Sequence, residues 1–108
     1  MDSYKSGDYT STKNGLQLLL TVNKTNDTLN YFYGVVNYEL CNFAASANAF
    51  NTVGSGSSFY QKAQYRLILI DLKANNKKAA LQKINDCLLS KEHLYYDKLS
   101  KLKSELAK

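Results

Sequence analysis

Proline is absent from this chain, and so is tryptophan. Without proline there are no obligatory helix breaks, so helix can follow helix through short turns, and an all-α architecture is the first expectation. Cysteine is scarce: Cys41 and Cys87 form no Cys-x-x-Cys pair, which leaves neither a zinc site nor a redox couple. Cys87 falls on the apolar stripe of its helix and reads as a small core residue. The single histidine, His93, sits between Glu92 and Leu94 at an expected turn, where a histidine is ordinarily solvated. Catalytic pairing, metal and cofactor all lack a motif, so the chain reads as a non-enzyme with no cofactor. Long apolar runs are missing too. Leu18-Leu19-Leu20 and Leu67-Ile68-Leu69-Ile70 are core-sized, far below the roughly 18 residues of a membrane span.

Glycine clusters once, in Gly54-Ser55-Gly56-Ser57-Ser58. This run lacks the Gly-Lys-Ser/Thr ending and the preceding strand of a phosphate cradle, and reads as a flexible connector. The opening Met1-Asp2-Ser3-Tyr4-Lys5 is polar, unlike a secretory leader. Asn23-Lys24-Thr25 and Asn26-Asp27-Thr28 match a glycosylation acceptor, a short pattern that arises readily by chance.

What is present is periodic. Charge balances over residues 1–72, with five basic and five acidic side chains, whereas residues 73–108 carry nine lysines against Asp86, Glu92, Asp97 and Glu105. The lysines alternate with acids and leucines at helical spacing, the pattern of a solvated helix face, so nucleic acid is not the expected partner. Gly7-Asp8-Tyr9, Cys41-Asn42-Phe43 and Asn75-Asn76-Lys77 recur every 34 residues. Downstream of each, a small residue recurs in step (Thr12, Ser46, Ala80), then a large apolar one (Leu16, Phe50, Ile84), then a medium one (Leu19, Val53, Cys87). Spacings of four and three share one helical face.

The repeated triplets read as punctuation between antiparallel helices. Gly7 or Asn75 can take the left-handed conformation that ends a helix, and Asp8, Asn42 or Asn76 can cap the next. Cys41, in the same place, pays about 1 kcal/mol for that conformation. The pattern predicts helices at about 8–22, 27–40, 42–53, 58–73, 76–89 and 94–107. In the last of these, Tyr95, Leu99, Leu102 and Leu106 form one apolar stripe, suited to a polar-backed capping helix.

These features together resemble the tetratricopeptide repeat, a 34-residue helix–turn–helix unit. The clearest stretch runs from Asn30-Tyr31-Phe32-Tyr33-Gly34 through Tyr38-Glu39-Leu40-Cys41-Asn42-Phe43 to Phe50. Gly34 stands where the family packs two helices closely, and Ser46 where it prefers alanine. The following stretch keeps Tyr65, Leu67, Ala80 and Ile84 but carries Ile68 at the close-packing glycine and Lys77 at the turn aromatic. The resemblance implies an all-α solenoid of about six antiparallel helices in a single domain over residues 1–108. Its parts are a partial first repeat at about 1–26, a second at 27–60, a third at 61–93 and a capping helix at 94–108. The first repeat lacks its leading helix, so a C-terminal piece of a longer protein is expected.

The resemblance also implies the site. In this family the first helix of each repeat lines a concave groove that holds a peptide or partner helix, which assigns Tyr31, Val35, Tyr38, Lys62, Tyr65, Arg66, Leu69 and Lys73 to peptide binding. Lys62 and Arg66 match two basic positions of the subgroup that clamps a terminal carboxylate, although Phe32 replaces that subgroup's asparagine. The partner is therefore expected to be a protein or peptide. The alternative is a structural segment that pairs with a second copy: an uncovered first helix exposes Leu16, Leu19 and Leu20, a patch that favours self-association.

Overall fold

The structure, a computed structural model, describes residues 6–106. It holds six α-helices and, among the described residues, no strand: α1 (Ser6–Val22), α2 (Asp27–Glu39), α3 (Phe43–Thr52), α4 (Tyr60–Lys73), α5 (Lys77–Cys87) and α6 (Tyr96–Leu106). The expected helices are all present, with ends displaced by a few residues. Residues 1–5 of the expected partial repeat and Ala107 at the expected end of the last helix lie outside the described residues.

The punctuation is largely as the residue types require. Asn26 and Asn76 cap α2 and α5, their side-chain oxygens accepting from the N–H groups of Leu29 at 2.9 Å and Ala79 at 3.3 Å. Cys41 and Asn75 take left-handed backbone, with φ of 63° and 58°, and end α2 and α4 as expected. Asn42 departs from its expected role: its amide nitrogen donates to Asn37 Oδ1 at 3.3 Å, and its side chain caps nothing. Gly7 departs as well, since it lies inside α1 and not at a turn before Asp8. A Gly-Asp pair marks a turn only where a helix must stop; within α1, the Asp8 carboxylate occupies the first turn, which the helix dipole favours.

The chain divides into two compact units, Met1–Tyr60 and Gln61–Lys108. In the first, α1 packs on α2 and α2 on α3. Gly34 lets α2 approach α3, because a methyl group added to it would meet the Phe50 ring at 2.7 Å. Ser46 Oγ donates to the Gly34 carbonyl at 2.6 Å across the same buried seam. Two asparagines are buried here and satisfied locally. Asn30 Nδ2 donates to the carbonyls of Lys24 and Asn26, and Asn37 Nδ2 to that of Tyr33. The glycine-serine run is tied down by hydrogen bonds. Gly54 N–H donates to Asp27 Oδ1 at 2.9 Å, Ser57 N–H to the Gly54 carbonyl and Phe59 N–H to Ser57 Oγ. Those three amides are thereby already spoken for, which removes them from any anion cradle.

In the second unit, α4, α5 and α6 share a core of Ile68, Ala80, Ile84, Cys87 and Leu99. Ile68 stands one period beyond Gly34, and it fits because Ile84, smaller than a phenylalanine, stands one period beyond Phe50. Lys83 pairs with Asp71 across α4 and α5. The repeated face thus becomes core twice: Ser46 and Phe50 are buried in α3 with Val53 just past its end, and Ala80, Ile84 and Cys87 are buried in α5. In α1 the same face is uncovered in part, with Thr12 and Leu19 exposed and Leu16 half-buried.

Candidate functional site

One concave surface in the second unit is a groove between α4 and α6. It has a volume of about 300 Å³ and is lined by Tyr65, Leu69, Lys98, Lys101, Leu102 and Glu105. Helical spacing builds both walls. Tyr65 and Leu69 lie four apart on α4, while Lys98, Lys101, Leu102 and Glu105 follow at intervals of three, one and three along one side of α6. Behind the groove, Leu99 and Ile68 are fully buried and hold the two helices together.

Tyr65 stacks face to face on Tyr95, with centroids 4.3 Å apart and planes 15° from parallel. The Lys98 ammonium lies 5.8 Å from the Tyr95 ring centroid, within reach of a cation–π interaction. Stacked rings lose little conformational freedom when a ligand arrives, so they make an inexpensive contact surface. Lys101 and Glu105 are exposed at the rim, whereas Leu69 and Leu102 are half-buried at the floor. An apolar floor between charges of both signs can accept an apolar side chain and orient the charged residues beside it.

The turn before α6 is fixed from α4. Gln61 Oε1 accepts from the Leu94 N–H at 2.8 Å, and the Tyr95 N–H donates to His93 Nδ1 at 3.1 Å. Because a backbone N–H can only donate, Nδ1 carries the lone pair, and Nε2–H donates to Gln64 Oε1 at 3.2 Å. His93 is therefore a buried, neutral spacer whose two nitrogens are both engaged, which corrects the expectation of a solvated turn histidine. Burial lowers its pKa below the ordinary 6.5. Cys87 is equally committed to the core: burial first, then the negative charge of Asp86, push its thiol up. Both cysteines are free.

The structure brings only Tyr65 and Leu69 of the expected binding residues into this groove. Lys62 and Arg66 are half-buried and Lys73 is exposed, each with an interaction of its own. In the first unit, Tyr31 is packed among three rings, stacked on Phe59 at 4.7 Å and inclined to Phe32 and Phe50. Val35 and Tyr38 are half-buried, and the Tyr38 ring meets the edge of Phe43 at 5.6 Å. Sequence reasoning read α6 as a cap with Leu102 on its apolar stripe, and named none of Lys98, Lys101 and Glu105 beside the groove. The signal was available: Leu99 lies one period beyond Tyr65 and Leu106 one beyond Leu72, which places α6 in the register of α4.

Of the expected self-association residues, Leu16 and Leu20 are half-buried, on the same stripe of α1 as Tyr9 and Lys13. Leu19 is 51% exposed, joined by Leu18 at 71% and Val22 at 83%. The counterparts of Leu19, Val53 and Cys87, are 3% and 4% exposed. Among the described residues, no helix is long and apolar enough to cross a membrane. Compared with models of protein families, with curated proteins and with solved structures, the chain matches none of them.

Proposed function

We propose that this chain is a tetratricopeptide-type helical repeat that works as a protein–protein interaction scaffold, and that the α4/α6 groove is where it holds a peptide or partner helix. The observation that carries the reading is the groove itself: Tyr65, held in place by its stack on Tyr95, and two half-buried leucines between exposed charges. Small-molecule pockets tend to be deeper and more enclosed, whereas a shallow cleft between helices with amphipathic walls suits one side of a polypeptide. The family part of the proposal is supported by the 34-residue period. Its small, large and medium positions are buried in both stretches, at Ser46, Phe50 and Val53 and at Ala80, Ile84 and Cys87.

A peptide display library panned against the protein tests this directly. Selected sequences should lose binding to Leu69→Glu, whose half-buried position leaves the core intact and the thermal melt close to that of the parent. Retention of every selected peptide by Leu69→Glu would remove the groove from consideration.

A second reading, assembly with another copy through α1, is favoured by the apolar side chains of Leu18, Leu19 and Val22 standing in solvent. Contiguous exposed apolar side chains commonly mark interaction surfaces. The two readings use different surfaces, so substitutions in α1 and in the groove separate them.

A further inference from the structure

The charges around the groove are segregated, and this bears on what kind of peptide it would take. Lys98 and Lys101 occupy one end of the α6 wall and Glu105 the other, with Leu102 between them. Glu105 lies seven residue steps along the helix from Lys98, a rise of about 10 Å at 1.5 Å per residue. That distance is spanned by about two turns of a partner helix or about three residues of an extended strand. The positive end is reinforced, because two ammonium groups flank it and one lies against the Tyr95 ring. Among the described residues that line the groove, the carboxylate of Glu105 marks the other end.

We infer that the α4/α6 groove selects an acidic-to-basic peptide: a carboxylate side chain at the Lys98/Lys101 end, an apolar anchor over Leu69 and Leu102, and a basic or neutral residue beside Glu105. The inference rests on the groove reading given above and adds the chemistry of the ligand. Each element has a separate physical origin. The apolar anchor removes its own surface and that of the two leucines from water. Complementary rim charges contribute little to affinity individually but discriminate between partners, because a like charge set beside Glu105 or the lysines is repelled. Acid at both ends satisfies the lysines and opposes Glu105; base at both ends does the reverse and meets two lysines. The expected order of affinity is therefore acid–apolar–base first, acid–apolar–acid second and base–apolar–base last.

The experiment uses the full chain and three synthetic fluorescent peptides with the same apolar centre and these three charge arrangements, titrated by anisotropy at low and high salt. Acid–apolar–base should bind on the order of tenfold more tightly than base–apolar–base at low salt, with the difference shrinking at high salt. In Lys98→Glu/Lys101→Glu the preference should invert, with base–apolar–base gaining and acid–apolar–acid losing. Glu105→Lys should instead promote acid–apolar–acid to the tightest ligand. Equal binding of all three peptides, or a preference unmoved by the charge reversals, would overturn the charge selection; if that binding were still abolished by Leu69→Glu, the groove would stand as an apolar site. Failure of all three peptides to bind would overturn the selection and the groove together.

Discussion

Replacing Gly34 with alanine tests the helix seam of the first unit, and a second glycine in the same unit supplies the control. In an ordinary helix interior, glycine to alanine is stabilising by about 1 kcal/mol, because alanine has less backbone freedom to lose. At Gly34 the new methyl would lie 2.7, 2.8 and 2.9 Å from three atoms of the Phe50 ring. Carbon atoms prefer about 3.5–4.0 Å, so the ring or the helix must yield by close to 1 Å. Phe50 is buried, with the Tyr31 ring centroid 5.8 Å away, and cannot simply swing aside. Moving α2 away from α3 would stretch the buried Ser46–Gly34 hydrogen bond, itself contributing about 1 kcal/mol. Overpacking of this kind costs about 1–3 kcal/mol, so Gly34→Ala should destabilise by about 1–3 kcal/mol once the propensity gain is set against the two losses. Gly15, inside α1 with nothing within 4 Å of its added methyl, should instead show the propensity gain alone. Urea unfolding followed by far-ultraviolet circular dichroism measures both as midpoint shifts at constant slope. In a Phe50→Leu background the penalty of Gly34→Ala should shrink, giving a coupling that only contacting residues show. If Gly34→Ala raises the midpoint as Gly15→Ala does, the close approach of α2 and α3 is wrong.

Four further outcomes follow from individual residues. His93 is neutral when folded and its pKa is lowered by burial, so the unfolded chain takes up the proton first; its contribution is complete above pH 6.5 and is lost as pH falls through the folded-state pKa. The loss approaches about 1.4 kcal/mol per pH unit between the two pKa values, and His93→Gln should flatten it in urea titrations between pH 7 and about 5.5. Cys41→Gly should stabilise by up to about 1 kcal/mol, since glycine takes the 63° φ without strain, and a thermal melt showing a loss would refute this. In the parent protein Cys41 should react with Ellman's reagent far faster than buried Cys87, with both thiols free in denaturant. Sedimentation equilibrium should show concentration-dependent association that Leu18→Lys/Val22→Lys abolishes; a single monomer mass at every concentration would count against the α1 surface.

The sequence by itself determined the helices, the turns at Cys41-Asn42 and Asn75-Asn76, and the face that α3 and α5 bury. These follow from short-range rules: no proline, apolar residues at intervals of three and four, and asparagine or a strained cysteine at the stops. The left-handed backbone at Cys41 and Asn75 was legible because only the chain direction at those residues is involved. Tertiary structure decided whatever depends on a neighbour. The face that is core in α3 and α5 is partly open in α1, although the spacing of Thr12, Leu16 and Leu19 is the same, because periodicity identifies a face without supplying its cover. His93 looked like a solvated turn residue until Gln64, far away in sequence, was placed against its Nε2. Asn37 is buried with its amide satisfied, because its own helix supplies the Tyr33 carbonyl and the next turn supplies Asn42. The groove needed both kinds of information. Tyr65 and Leu69 could be read from one helix, but Lys98, Lys101 and Glu105 gained meaning only when α6 came to lie beside α4, since a charged helix face acquires a role from the surface it adjoins.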